Sequence, residues 1–212
     1  MNNLFIGGSS EIALEIANSL QNTYNLSRKK NKVFKKNYTL KNYSEKQIVE
    51  KLNKMKKIKF DNILIFNGIF ETSFLSNTNK KKLLNILNVN FIIPLEISRI
   101  CIKEKIINKN GGIYFISSIA ALKPKIGNAG YAISKNALNF ACKILCLEQK
   151  KRFIRVNTIM FGLIKNRMGH QVLNSIPLIQ KKKINFSKIK EIKSKIKKIL
   201  RNKSNNGKII KV

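Results

Sequence analysis

The sequence predicts a doubly wound α/β fold, in which one mostly parallel sheet carries helices on both faces. Short apolar strand candidates alternate with segments of helical periodicity along nearly the whole chain. The candidate strand at residues 61–68 has continuous apolar character, which is expected for a parallel strand covered on both faces. At 212 residues the chain is long enough for one well-buried domain and short for two, so we expect a single domain over residues 1–212.

The elements follow one another in an order that fits this fold. Apolar residues recur at helical spacing after the first strand and again in four later segments. Pro94 lies inside the longest helical segment and should kink it. The assigned strands are residues 3–6, 23–27, 38–40, 61–68, 113–116, 153–158 and 208–212, and the assigned helices are residues 12–20, 44–55, 79–107, 131–147 and 186–200.

The composition favours a soluble protein of a reducing compartment, and we expect it to be cytoplasmic. No apolar run looks long enough to cross a bilayer, and no charged-then-apolar leader precedes the first strand. Cys101, Cys142 and Cys146 fit buried thiols. Cys142 and Cys146 lie one helical turn apart, but the distant His170 is the one further soft ligand, so we expect no metal site.

The formal charge of +33 leaves two interpretations open. Such an excess of cations attracts phosphates and anionic surfaces, so nucleic-acid binding is one of them. The basic residues are spread over most of the chain together with Asn and Ile, which favours a general compositional bias over a localised binding patch. We expect no specific nucleic-acid partner, and non-specific binding of polyanions at low salt.

A candidate phosphate site lies at the end of the first strand. Gly7 opens a turn that Ser9 and Ser10 complete, and Ile12 begins the helical periodicity. Backbone N–H groups in such a turn and the positive end of the helix dipole both favour an anion. Arg28 follows the second strand, where it is well placed to pair with a 2′-phosphate. An acidic residue, which NAD-preferring sites use there for the ribose hydroxyls, is missing from this position, so NADP(H) is favoured over NAD(H).

A candidate acid–base pair begins the helix at residues 131–147. Tyr131 and Lys135 are four residues apart, so they share one face of that helix. A positive charge beside a phenol lowers its pKa from about 10 and lets it exchange protons nearer neutral pH. Ser118, at the end of the preceding strand, could hold a carbonyl oxygen against the phenol. Taken alone, Tyr and Lys at this spacing are more often a packed ring and a solvated amine.

The wider pattern resembles the short-chain dehydrogenase/reductase family over nearly the whole chain. Ser118, Tyr131 and Lys135 match the serine and the Tyr-x-x-x-Lys pair of that family at the usual separation. Gly68 matches the last glycine of the family's Asn-Asn-Ala-Gly strand end, and Asn90 matches its fourth catalytic residue within an Asn-Val-Asn context. The resemblance implies a Rossmann-type fold, a nicotinamide cofactor and a carbonyl or alcohol substrate.

The resemblance also implies a role for each residue. Tyr131 would exchange a proton with the substrate oxygen, and Lys135 would lower the tyrosine pKa and bind the nicotinamide ribose. Ser118 would orient the substrate oxygen, and Asn90 would hold a relay water. The cofactor would be contacted by Gly7, Ser9, Ser10, Ile12, Arg28, Asn67, Gly68, Tyr131, Lys135 and Ile164. The implied function is NADP(H)-dependent reduction of a keto group, or oxidation of the corresponding alcohol, by a homodimer or homotetramer.

Several positions depart from the family pattern, and Glu11, Ala13 and Phe161, together with the charge, keep an alternative open. Glu11 and Ala13 stand where the second and third glycines of the dinucleotide loop would be. A carboxylate near a pyrophosphate is unfavourable unless it points away. Phe161 replaces a proline, and Asn166 replaces a threonine that commonly binds the nicotinamide carboxamide. The alternative is a non-catalytic member of the fold that binds a nucleotide, a partner or a nucleic acid.

The carboxy-terminal quarter should cover the substrate, within about residues 165–200. The segment from Arg167 to about residue 183 is the expected cover, and His170 within it is expected to face solvent rather than bind a ligand. The basic amphipathic helix at residues 186–200 could lie on a membrane surface or cover the sheet. The carbonyl substrate, free or carrier-bound, stays open between an acyl-thioester ketone and a modified sugar.

Overall fold

The computed structural model of the protein describes residues 1–174 and 186–212. Its strands are β1 (Asn3–Ile6), β2 (Thr23–Ser27), β3 (Lys36–Thr39), β4 (Phe60–Ile65), β5 (Ile107–Ser118), β6 (Arg155–Phe161) and β7 (Ile209–Lys211). The helices in the described ranges are α1 (Glu11–Ala17), α2 (Glu45–Asn53), α3 (Lys80–Leu87), α4 (Ile93–Lys103), α5 (Ala129–Glu148), α6 (Arg167–Asn174) and α7 (Ile189–Arg201).

The strands form one parallel sheet in the order β3–β2–β1–β4–β5–β6–β7. The chain winds outward from β1 in one direction through β2 and β3, and in the other through β4 to β7. Ile6, the last residue of β1, is paired with Leu26 on one side and with Ile65 on the other. The order reverses at β1 and β4, and the crevice outside their carboxyl ends is where such sheets bind ligands. The doubly wound prediction is confirmed.

Both faces of the sheet are buried. Along β1, Leu4 and Ile6 belong to one core layer and Phe5 to the other, because side chains alternate along a strand. Helices α2, α4 and α5 supply the first layer, and α1 and α7 supply the second. This two-sided cover accounts for the continuous apolar character of β4.

The connection between β2 and β3 differs from the usual parallel crossover. Neighbouring parallel strands are commonly joined by a dozen or more residues that include a helix. Here residues 28–35 join them without one. Phe34 anchors the loop on Phe5, with ring centroids 5.4 Å apart. The amide Nδ2 of Asn25 donates to a loop carbonyl at 3.0 Å and to Oδ1 of Asn37 at 2.9 Å, which holds the short basic loop beside the end of β2.

The predicted helix at residues 79–107 is two helices joined by a turn of π-helix, Asn88–Ile92. Pro94 lies in the first turn of α4, directly after the π-helical turn, so the irregularity of the helix precedes the proline. By length and composition, Lys80–Lys103 could cross a membrane, contrary to the expectation of no such run. In the fold this stretch is partly buried, with Ile97 and Ile100 in the first core layer.

The other boundaries lie close to the predicted ones. The strands at residues 3–6 and 23–27 have the predicted bounds, whereas β3 begins two residues earlier and β5 six residues earlier than predicted. Helix α7 buries Ile192 and Ile196 against the sheet, so it covers the sheet rather than presenting that face to a membrane. The predicted covering segment begins with α6, and its remainder, residues 175–183, lies outside the described residues.

Candidate active site

The fold brings Ser118, Tyr131, Lys135 and Asn90 together near the carboxyl ends of β4 and β5. Ser118 is the last residue of β5. Helix α5 begins at Ala129 and puts Tyr131 in its first turn, with Lys135 one turn later. The hydroxyl of Ser117 donates to the Lys135 carbonyl at 3.2 Å, which ties the strand end to this helix.

The Tyr131 phenol lies in a nearly closed environment. The residue is 8% exposed, and the ring of Phe70 packs edge-on against it at a centroid distance of 5.1 Å. Burial raises the pKa of Tyr131, and the interaction with the Ser118 side chain only partly offsets that rise. Ser118 is itself oriented, because its hydroxyl accepts the Ala120 N–H at 3.2 Å. The expected lowering of the tyrosine pKa by Lys135 is not seen in this structure, where burial has the larger effect.

The Lys135 ammonium is held by two backbone carbonyls. Its Nζ donates to the carbonyls of Ile116, at 2.9 Å, and Asn67, at 3.3 Å, and lies 5.9 Å from the centroid of the Tyr131 ring. The side chain is buried without a carboxylate among the described residues, and burial lowers the pKa of Lys135 to about 8. A buried amine with this pKa changes its charge near physiological pH, which is typical of functional sites.

Asn90 holds the neighbouring loop in place. It lies in the π-helical turn and is fully buried. Its Oδ1 accepts the Ile69 N–H at 2.7 Å, and its Nδ2 donates to the Ile69 carbonyl and to the Ser134 hydroxyl, both at 3.0 Å. Gly68 precedes Ile69, and a Cβ there would lie 3.1 Å from the Lys135 Nζ. The asparagine thus fixes the chain beside the lysine.

The predicted phosphate turn is a tight glycine turn that leads directly into α1. Gly7 has a φ of +69°, a conformation that glycine adopts without strain, and a Cβ there would meet Asn67 at 3.2 Å. Ser10 begins α1 as its N-cap, and its hydroxyl accepts the Ala13 N–H at 3.3 Å. Ser9 is exposed and Ile12 is half-buried beside the turn.

Asn67 supplies a polar atom without a partner in this crevice. It is 7% exposed, and its Oδ1 has no hydrogen-bond partner in the described part of the chain. A buried, unpaired amide oxygen is costly unless a ligand or water reaches it. The glycine turn, the helix start and this oxygen fit a dinucleotide whose phosphates lie at the start of α1.

Tyr43 is a candidate binding residue that the sequence reasoning missed. Its hydroxyl interacts with the Asn67 side chain and with the charge of Arg28, while burial has the larger effect and raises its pKa. Arg28 is exposed and directly follows β2. The sequence offered no signal for Tyr43, because Arg28 follows β2 and Asn67 follows β4, and only the folded chain brings both to Tyr43.

The departures from the family pattern are accommodated in different ways. The Glu11 carboxylate accepts the Arg167 N–H at 3.1 Å, so it is turned toward α6. Ala13 is fully buried, and Phe161 is buried in the second core layer. Asn166 caps α6 by accepting the Gly169 N–H at 2.9 Å.

Two further predictions concern ligands near this region. Ile164 is buried, its backbone forms a bridge with Ser187, and it lines a cavity together with Glu11 and Ile12. His170 is exposed on α6. Within residues 1–174 and 186–212, no group of three His, Cys, Asp or Glu side chains could hold a metal ion.

Comparison with known proteins agrees with this geometry. The sequence profile described as short chain dehydrogenase matches residues 2–176. The chain belongs to the short-chain dehydrogenase/reductase family. Members of this family are NAD(P)-dependent oxidoreductases.

Curated relatives of the short-chain dehydrogenase/reductase family match part of the chain. The 3-oxoacyl-(acyl-carrier-protein) reductase FabG of Rickettsia conorii is 33% identical over 140 residues, which are 65% of this chain and 57% of that protein. Carbonyl reductase family member 4 of Xenopus laevis is 32% identical over 101 residues, which are 48% of this chain and 43% of that protein. The aligned part of this chain thus spans about half the length of these relatives.

Solved structures of the family share the fold over the whole chain. A short chain dehydrogenase family protein from Francisella tularensis superposes with a TM-score of 0.85 at 20% identity, covering 100% of this chain and 96% of that one. A short chain dehydrogenase from Salmonella enterica gives a TM-score of 0.84 at 16% identity, covering 99% and 95%. At these identities the likeness establishes the Rossmann-type fold.

Proposed function

We propose that the protein is an NADP(H)-dependent oxidoreductase that reduces a keto group, or oxidises the corresponding alcohol, on a small-molecule or carrier-bound substrate. The convergence of Ser118, Tyr131 and Lys135 in one buried crevice beside the Gly7 turn carries this proposal. A protein that only bound a nucleotide would have no need for a buried phenol, a buried ammonium and a serine hydroxyl in contact.

Each side chain has a defined task in the proposed reaction. The bound cofactor supplies a hydride for the carbonyl carbon. Tyr131 donates its phenolic proton to the carbonyl oxygen, which becomes the alcohol oxygen. Ser118 donates a hydrogen bond to the same oxygen and orients it toward the phenol, a role that its fixed position at the end of β5 favours.

Lys135 and Asn90 support the proton transfer. The ammonium beside the Tyr131 ring stabilises the phenolate left after the proton has moved, because opposite charges favour the ionised form. Lys135 is held by backbone carbonyls, and Asn90 fixes Ile69 next to it. Lys135 is buried, so little solvent would screen its charge from the phenolate that forms in the reaction.

The preference for NADP(H) rests on Arg28 and on the loop that follows it. Arg28 and the lysines of residues 28–35 face solvent beside the end of β2. A guanidinium there can form charge-assisted hydrogen bonds to a 2′-phosphate. A cellular excess of reduced over oxidised NADP would make reduction the working direction.

The proposal includes a homodimer or homotetramer in the cytoplasm. Helix α5 leaves large apolar side chains exposed on one side, and a partner subunit would cover them. These residues are Ile133, Phe140, Ile144 and Leu147. The three cysteines are free thiols in the fold, which suits a reducing compartment.

The test is a carbonyl screen that follows NADPH oxidation with wild type, Tyr131→Phe and Tyr38→Phe. Loss of the general acid should reduce turnover by roughly 10²–10⁴-fold in Tyr131→Phe, with NADPH binding retained. Tyr38→Phe is the matched control, since the Tyr38 hydroxyl is buried without a partner in the described residues. Unchanged turnover in Tyr131→Phe would contradict the mechanism. Tight NADPH binding without turnover of any carbonyl would favour the non-catalytic alternative.

A further inference from the structure

Glu11 links the nucleotide turn to the helix that follows β6. It is the first residue of α1, directly after the turn of Gly7 to Ser10. Its Oε2 accepts the backbone N–H of Arg167, the first residue of α6, at 3.1 Å. A glycine, which the family pattern has at this position, has no side chain to make this contact.

A second carboxylate on α1 contacts α7 rather than α6. Glu15 lies one turn after Glu11, and its Oε2 lies 2.5 Å from the Lys193 Nζ in α7. The chain has 10 acidic residues against 43 basic ones, so a carboxylate that pairs with a lysine is expected, and Glu11 differs because it accepts a backbone N–H. A cavity of about 290 Å³ lies between these elements, lined in part by Glu11, Glu15 and Ile164.

The start of α6 is tightly docked. Asn166 is its N-cap and accepts the Gly169 N–H at 2.9 Å. A Cβ at Gly169 would lie 1.9 Å from the Ile164 carbonyl oxygen, so α6 contacts the backbone after β6 directly. Glu11 accepts the N–H of the first helical residue, one of the donors that a helix leaves unpaired. Its negative charge is also favourable at that end of the helix.

We propose that Glu11 is a positioning residue that couples the docking of α6 to the binding of the cofactor. With α6 docked, the Arg167 N–H holds the carboxylate away from the phosphate turn. When α6 is undocked, the Glu11 carboxylate is released from this contact. It lies next to the phosphate turn in the chain and repels a bound phosphate. Docking of α6 and binding of an anionic dinucleotide therefore favour each other, by the reciprocity of linked equilibria. The inference rests on the proposed function in one respect, namely that the anion is NADP(H).

The most specific variant removes the backbone N–H of Arg167, which donates to Glu11. Arg167→Pro deletes the N–H that Glu11 accepts, and proline is well tolerated at the first helical position. Arg167→Ala is the matched control, because it removes the same guanidinium and keeps the N–H. Both substitutions are made in the wild-type and Glu11→Gly backgrounds, and NADPH affinity is measured by fluorescence titration of the full chain.

With Glu11 present, Arg167→Pro should bind NADPH roughly tenfold more weakly than Arg167→Ala. A change of this size is expected from the repulsion between two partly screened charges a few ångströms apart. In the Glu11→Gly background the NADPH affinities of Arg167→Pro and Arg167→Ala should agree within about twofold. If Arg167→Pro weakens NADPH binding equally in both backgrounds, or in neither of them, the proposed coupling is refuted. Failure of wild type to bind NADPH or NADH would overturn the proposed function as well, so the two failures are distinguishable.

Hydrogen exchange of the nucleotide-free protein tests the contact itself. Glu11→Gly should speed exchange of the first amides of α6, whereas Glu11→Gln, which keeps an acceptor oxygen, should leave them close to wild type. Unchanged exchange in Glu11→Gly would show that α6 does not depend on Glu11, and would also overturn the proposal.

Discussion

Replacing Asn90 by alanine should destabilise the protein, because this side chain pairs both backbone groups of Ile69. Three hydrogen bonds of 2.7 to 3.0 Å are lost in the variant. The Ser134 hydroxyl keeps its bond to the Tyr131 carbonyl at 2.7 Å, so the cost falls on the N–H and C=O of Ile69. Asn90 itself is fully buried, so the variant also leaves a small cavity.

The magnitude follows from those two backbone groups. An unpaired buried group costs about 1–3 kcal/mol. Ile69 is half-buried, so water can recover part of this cost, and the lower end of the range applies. We expect Asn90→Ala to lower the free energy of unfolding by roughly 2–3 kcal/mol, a large share of the 5–15 kcal/mol typical of a domain.

Urea unfolding followed by circular dichroism measures this loss. Asn88→Ala is the matched control, because Asn88 lies exposed in the same π-helical turn and should change stability by less than about 0.5 kcal/mol. If both variants unfold at the same urea concentration, Asn90 does not anchor the loop beside Lys135, and the structural account of this residue is refuted.

Three further predictions test other parts of the structure. The pKa of Lys135 is lowered from 10.5 to about 8, so the unfolded state binds more protons between these values. The free energy of unfolding should therefore rise with pH in this window relative to Lys135→Met, and parallel pH profiles would contradict this. Phe140→Ser should shift the mass measured by light scattering toward a smaller species, whereas the exposed Phe153→Ser should not. Tyr43→Phe should weaken NADPH binding by roughly 2- to 10-fold through the lost hydroxyl, and an unchanged affinity would exclude Tyr43 from the site.

The features that the sequence predicted well are those fixed by local periodicity. Tyr131 and Lys135 share a helix face because their spacing matches one turn, and Ser118 meets them because a strand end and the next helix start lie on one edge of the sheet. The doubly wound fold class followed from alternating strands and helices. These inferences needed no contact between distant parts of the chain.

The features that the sequence did not predict depend on such contacts. The pKa of Tyr131 is raised because Phe70 and the surrounding fold bury it, and burial cannot be read from a Tyr-x-x-x-Lys spacing. The direction of the Glu11 side chain depends on Arg167, 156 residues away. The position of the loop between β2 and β3 depends on the packing of Phe34 against Phe5 in the core.

The most direct test of the account is a fluorescence titration of wild type and Arg28→Ala with NADPH and NADH at moderate salt. We expect micromolar NADPH binding by wild type. In Arg28→Ala it should weaken by roughly 10- to 100-fold, the value of a lost hydrogen bond to a charged group, with NADH affinity unchanged. Binding of neither nucleotide by wild type would contradict the central claim that this chain is a nicotinamide-dependent oxidoreductase.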